Sequence, residues 1–70
     1  MRLFIEDMKG YMETFDNVKN IIITKVYNKN SLIIKFKDYH TEELTIPLTE
    51  IRLAFMINLE TMDEYFRYEK

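Results

Sequence analysis

The chain has 70 residues, no cysteine and a single histidine, with 47% apolar residues, 31% charged residues and a formal net charge of −2 at pH 7. A chain of this length forms one small domain over residues 1–70, and its composition excludes a disulfide framework and a structural zinc site. Its longest apolar run, residues 53–57, is far shorter than the roughly 20 residues of a membrane span. We therefore expect one cytoplasmic domain that does not enter a membrane.

Residues 3–16 predict a first helix. Its apolar residues recur at spacings of three and four and would form one helical face, made of Phe4, Met8, Tyr11, Met12 and Phe15. Gly10 is unfavourable in the middle of a helix. The alternative is that Met1–Ile5 forms a strand and that the chain turns at Gly10.

Three strands are predicted next. Residues 20–27 are rich in β-branched residues, and residues 32–37 and 42–48 alternate between apolar and polar. Pro47 cannot donate a backbone hydrogen bond, so it marks an edge strand or a strand end. Because the connections between these segments are short, they predict a three-stranded antiparallel meander.

The C-terminal third favours one long helix. Thr49 is a suitable N-cap, and an apolar stripe follows at spacings of four, four, three and four, formed by Ile51, Phe55, Leu59, Met62 and Phe66. A fourth strand over 51–57, followed by a helix beginning at Thr61, is the alternative. The sequence thus predicts an α+β domain of order α-β-β-β-α, with the meander packed by N- and C-terminal helices. In this fold Phe36, Ile46, Phe55 and Leu59 should be fully buried.

No residue pattern indicates catalysis. The only serine, Ser31, and the only histidine, His40, lie in different predicted turns, and a single glycine cannot build a phosphate-binding loop. Asp38, His40 and Glu42 surround one turn and could hold a metal weakly, but solvated turn residues explain them better. We expect no enzyme activity, no cofactor and no metal.

Apolar residues exceed what so small a core can bury. The residues left over are candidates for a dimer or partner interface, namely Leu53, Met56, Ile57, Tyr65, Phe66 and Tyr68. We expect a homodimer, with Leu53, Met56 and Ile57 at its seam, and a further protein partner.

Charge is distributed unevenly. Residues 18–39 carry a net charge of +4, whereas residues 1–17 carry −2 and residues 40–70 carry −4. A nucleic-acid face on the basic hairpin is the alternative function, with Lys25, Tyr27, Lys35, Lys37 and Tyr39 as its contact residues. The absence of arginine from this group argues against it, and lysines on a sheet often only prevent edge pairing.

Composition also suggests an origin. The chain has nine isoleucines, seven lysines and five asparagines but one alanine and one glycine, a bias that A/T-rich codons produce. In size and composition it resembles the small proteins of phages and mobile elements, many of which inhibit a host machine, as anti-CRISPR and anti-restriction proteins do. The expected function is therefore a protein-binding inhibitor. Acidic residues of the last helix could mimic phosphates locally, and these are Glu60, Asp63, Glu64 and Glu69.

Overall fold

The computed structural model describes residues 1–38 and 40–70. These residues form seven β-strands and one 3-10 turn, and no α-helix is present among them. The strands are β1 (Arg2–Asp7), β2 (Met12–Phe15), β3 (Val18–Val26), β4 (Lys29–Phe36), β5 (Leu44–Pro47), β6 (Ile51–Ile57) and β7 (Glu64–Glu69), with the 3-10 turn at Leu48–Glu50. The predicted α+β fold is therefore wrong, and the domain is all-β.

The strands form two antiparallel sheets. A three-stranded sheet has the order β3-β4-β5, which is the meander expected from the sequence. A four-stranded sheet has the order β2-β1-β6-β7 and takes the place of both predicted helices. Pro47 ends β5, an edge strand of the smaller sheet, as its missing N–H requires.

The N-terminal segment is a hairpin because a tight turn interrupts it. The Asp7 carboxylate accepts the backbone N–H groups of Lys9 at 2.9 Å and Tyr11 at 3.0 Å. Gly10 adopts a φ of +92°, which side-chain-bearing residues rarely tolerate. A strand that turns near Gly10, the alternative to the helix, is what the chain forms.

The C-terminal segment is also a hairpin. The alternative fourth strand over 51–57 is correct, but a second strand follows it and not a helix. In the connecting loop the Asn58 side chain accepts the N–H groups of Glu60 at 2.9 Å and Thr61 at 3.3 Å. Met62, at a φ of +63°, completes the reversal.

Short corners join the two sheets. Asp16 and Asn17 alone separate β2 from β3, and the 3-10 turn alone separates β5 from β6. Lys37 donates its backbone N–H to the Asn17 carbonyl at 2.9 Å, which fixes the first corner. Apolar residues of both sheets then meet in one buried cluster, made of Leu3, Ile5, Val18, Leu32, Ile34, Ile51, Ala54 and Met56.

The prediction that four residues are fully buried is wrong for each of them, namely Phe36, Ile46, Phe55 and Leu59. Phe36 and Ile46 pack against the core cluster but remain half-buried. Phe55 points away from the core, because β6 is a strand and its neighbours Ala54 and Met56 take the inner positions. Leu59 lies in the β6–β7 loop and is 46% exposed. No helix in the described part of the chain is long and apolar enough to cross a membrane.

Candidate protein-binding face

Two phenylalanines lie at the centre of the outer face of the four-stranded sheet. The register pairs Phe4 on β1 with Phe55 on β6, and their rings stack 4.8 Å apart at an interplanar angle of 14°. Leu3, Ile5, Ala54 and Met56, their neighbours along the strands, point into the core. Side chains alternate along a strand, so Phe4 and Phe55 lie on the opposite side, where no described element of the chain covers them.

Arg67 extends this pair into an aromatic–arginine strip, which we define as Phe4, Phe55 and Arg67. Arg67 lies opposite Phe55 in the β6–β7 register, and its guanidinium carbon is 5.2 Å from the Phe55 ring centroid. The hydrogen bond to Glu64, and to a smaller extent that to Glu69, raises the pKa of Arg67 above its ordinary value. The guanidinium is therefore a permanent cation, and its direction over the ring is fixed from two sides.

A β-bulge brings one of the two carboxylates, that of Glu64, to Arg67. The register pairs Met56 with Phe66 and Ile57 with Glu64, so Tyr65 is the extra residue of β7. In a regular strand, residues three apart lie on opposite faces. Because of the bulge, Glu64 lies on the same face as Arg67, and its Oε1 is 2.7 Å from the guanidinium Nη2. The Glu69 Oε1 is 2.7 Å from Nη1.

Two more ion pairs surround the strip. Arg2 Nε is 2.7 Å from Asp16 Oδ1 at one border, and Arg52 Nη1 is 3.7 Å from Glu6 Oε2 at another. Arg52 is the extra residue of a second bulge, between the pairs Glu6–Leu53 and Asp7–Ile51. Exposed pairs of this kind contribute little to folding. The outer face thus has an apolar centre and a charged border, which is how protein interfaces are organised.

The predicted interface residues do not form one surface. Leu53 and Ile57 flank Phe55 on the outer face. Met56 is only 6% exposed and belongs to the core. Phe66 and Tyr68 also face the core and are half-buried. Tyr65, at the bulge, is 56% exposed.

Sequence reasoning missed the strip itself. The helical interpretation places Phe4 on an apolar helical stripe and Phe55 in the core, and it gives Arg67 no site. A signal was present in residues 2–6, where Leu3 and Ile5 alternate with Arg2, Phe4 and Glu6.

The predicted basic residues are not brought together either. Ile33 and Lys35 lie on the outer side of the three-stranded sheet, but Lys25 is paired with Asn30, which puts it on the other side. The Lys35 Nζ lies 3.5 Å from Glu43 Oε2. Lys37 is exposed just after β4, and Tyr39 lies outside the described residues.

Tyr27 has an unusual position at the tip of the β3–β4 hairpin. It is 96% exposed, and its φ is +50°, followed by +67° at Asn28. Two positive φ angles indicate a type I′ turn, in which glycine or asparagine is preferred to tyrosine. The turn therefore carries an aromatic side chain at some cost in backbone strain.

The remaining polar candidates are held by local contacts. Asp38 accepts the His40 N–H at 2.9 Å and the Thr41 hydroxyl at 3.2 Å. Within residues 1–38 and 40–70, no group of three acidic or histidine side chains is placed to bind a metal. A cleft between the sheets has an acidic border at Asp7, Glu13 and Glu50 over an apolar floor.

Comparison of the chain with protein families, with curated proteins and with solved structures finds no match. The assignment of function therefore depends on the geometry alone.

Proposed function

We propose that the chain is a small, non-enzymatic protein-binding module that docks on its partner with the outer face of the four-stranded sheet. The observation that supports this proposal is the position of the aromatic–arginine strip: its two rings are half-buried at the centre of a sheet face on which no other described element packs. An antiparallel sheet with one face on the core normally presents polar residues on the other face. Here the centre of that face is apolar, and aromatic and arginine side chains dominate the binding energy of protein interfaces.

Charge indicates the chemistry of the partner. The strip with its charged border and the adjacent β6–β7 loop carries more carboxylates than cations. The carboxylates are Glu6, Asp16, Glu60, Asp63, Glu64 and Glu69, against Arg2, Arg52 and Arg67. Since opposite potentials meet in specific complexes, the partner should present an apolar group within a basic surface. A host protein that handles nucleic acid has such a surface, and an inhibitor of anti-CRISPR or anti-restriction type would meet it.

Mimicry of phosphates is limited by the same contacts. Of the four carboxylates expected to imitate phosphates, Glu64 and Glu69 are paired with Arg67. Glu60 and Asp63 form no ion pair with any described residue. In this proposal the aromatic–arginine strip therefore supplies the affinity, and the acidic residues of the β6–β7 loop orient the partner.

Capture of a partner from host lysate, followed by direct titration of the purified partner, tests the proposal. The test variant is Phe55→Thr, which removes the centre of the strip. The matched control is Ile33→Thr, which changes a half-buried residue on the outer face of the other sheet. Because a central interface residue contributes about 2 kcal/mol or more, Phe55→Thr should weaken binding about thirtyfold, with Ile33→Thr close to the parent. A partner that is lost on nuclease treatment, or that binds both variants equally, would contradict the proposal.

A further inference from the structure

The described part of the chain has four edge strands, and three of them resist pairing. β2 and β5 have four residues each, and β5 ends in Pro47. β7 has three charged residues and the Tyr65 bulge. Short length, proline, charge and bulges are the devices by which edge strands avoid other chains.

β3 is different. With nine residues it is the longest strand, and it lies at the edge of the three-stranded sheet. Its bulge residue, Lys19, lies at the start, outside the pairs that run from Asn20 to Val26. The segment Ile21–Thr24 contains no charge and no proline.

The hairpin geometry shows which backbone groups β3 leaves free. Tyr27 and Asn28 form a two-residue turn that closes on the pair Val26–Lys29, and such turns close on a hydrogen-bonded pair. Counting back by two, Thr24 and Ile22 also bond to β4. Ile21, Ile23 and Lys25 therefore direct their N–H and C=O groups away from β4.

One side-chain contact agrees with this assignment of free backbone groups. Ile21 donates its N–H to the side-chain Oδ1 of Asn20, the preceding residue, at 2.8 Å. This contact is possible because that N–H has no partner on β4. Among the described residues, no strand pairs with the outer edge of β3.

We propose that two copies of this chain pair through β3 in antiparallel orientation, so that their three-stranded sheets become one continuous sheet. This inference does not depend on the proposed function, which uses the other sheet. The predicted homodimer seam at Leu53, Met56 and Ile57 is replaced, because Met56 lies in the core and the other two flank Phe55 on the outer face of the other sheet.

The sequence of β3 favours one register. With the two-fold axis at Ile22, Ile21 of each copy forms a hydrogen-bonded pair with Ile23 of the other. The Ile22 residues of the two copies lie opposite each other in a non-hydrogen-bonded pair. Asn20 then lies opposite Thr24, a polar pair on the same face. The same register places Lys25 of each copy opposite Lys19 of the other, and this like-charge contact limits favourable pairing to Asn20–Thr24. Within that segment β3 matches itself, which favours a second copy as the occupant.

Pairing would also cover apolar surface. The Ile23 side chain is 46% exposed on the core side of β3, at the open edge of the sheet. In the dimer it would pack against Ile21 of the second copy. Asn20 opposes pairing until it releases the Ile21 N–H, so association should be weakened by this internal contact and not abolished.

Light scattering over a range of concentrations gives the first test. The parent should approach twice the 8.6 kDa mass of the chain. Ile23→Lys should raise the dissociation constant at least about tenfold, since an inward charge on an edge strand blocks pairing. Leu44→Lys is the matched control, because Leu44 is 39% exposed on the other edge strand of the same sheet, and it should leave the dimer intact.

Cysteine cross-linking tests the register without depending on a destabilised variant. The chain has no cysteine, so a single introduced thiol can react only with its copy. The Cα atoms of a non-hydrogen-bonded pair are about 4.5 Å apart, within the range of a disulfide. Ile22→Cys should therefore oxidise rapidly to a covalent dimer. In the Thr24→Cys variant the two Cα atoms are about 13 Å apart along the strands, which is too far for a disulfide. This variant should therefore not cross-link.

Three results would overturn the inference. They are a parent that stays monomeric up to millimolar concentration, a dimer that Ile23→Lys leaves unchanged, and equal cross-linking rates for the Ile22→Cys and Thr24→Cys variants. Phe55→Thr should lose partner capture and keep the dimer, so its result tests the proposed function and not this inference.

Discussion

Phe55 and Met56 are consecutive residues of β6 with opposite environments, and replacing each by threonine tests the fold. Met56 is 6% exposed in the core, so Met56→Thr leaves a cavity and a buried hydroxyl and should cost about 4–6 kcal/mol. Phe55 is half-buried on the outer face. Phe55→Thr loses a stacked pair worth about 0.5–1.5 kcal/mol and about half the value of a buried phenylalanine, together about 2 kcal/mol.

These costs predict different states for the two variants. A domain of 70 residues has a total stability of about 4–10 kcal/mol, so Met56→Thr should be largely unfolded and Phe55→Thr folded. Urea unfolding followed by far-ultraviolet circular dichroism measures both. With a slope of about 1 kcal/mol per molar, the Phe55→Thr midpoint should fall by about 2 M. The reverse order, with Met56→Thr like the parent and Phe55→Thr unfolded, would refute the assignment of faces on β6.

Three further predictions concern the turns and the lysines. Replacing Tyr27 by glycine should raise the free energy of unfolding by about 1 kcal/mol, because the left-handed backbone is strained there, and an unchanged urea midpoint would contradict this. Asn58→Ala should lower it by about 1 kcal/mol through the loss of the loop contacts to Glu60 and Thr61, checked by the same measurement. Changing Lys35 and Lys37 together to glutamate should leave partner affinity within about twofold. Binding of DNA or RNA tighter than about a micromolar at physiological salt would favour the nucleic-acid alternative.

The meander could be predicted because its signals are local. In β4, Leu32 and Ile34 are buried while Ile33 and Lys35 point outward, and this alternation is visible in the sequence. Asparagines mark the β3–β4 turn. Short connections then leave antiparallel neighbours as the only simple arrangement. None of these steps needs information from distant residues.

The four-stranded sheet could not be predicted in the same way, because its central strand β6 is apolar on both faces. In β6, Ala54 and Met56 face the core, and Leu53, Phe55 and Ile57 face outward. A strand of this kind reads as a continuous apolar run and shows no alternation. Such a run fits a buried helix equally well, and the apolar stripe that continues to Phe66 at helical spacing favours the helix. The property that hid the strand is the one that makes its outer face a candidate interface.

Bulges account for the rest of the misassignment, and they also build the border of the strip. Around the Arg52 bulge the inward residues of β6 are Ile51, Ala54 and Met56, at spacings of three and two, which follow neither the helical nor the strand period. Around the Tyr65 bulge the outward residues of β7 include Glu64 and Arg67, three apart. Without that extra residue, Glu64 would point to the other face, and the Arg67 guanidinium would keep only Glu69. Since a bulge is visible only in the pairing of two strands, a single sequence could show neither the break in period nor the carboxylate pair that fixes Arg67 over Phe55.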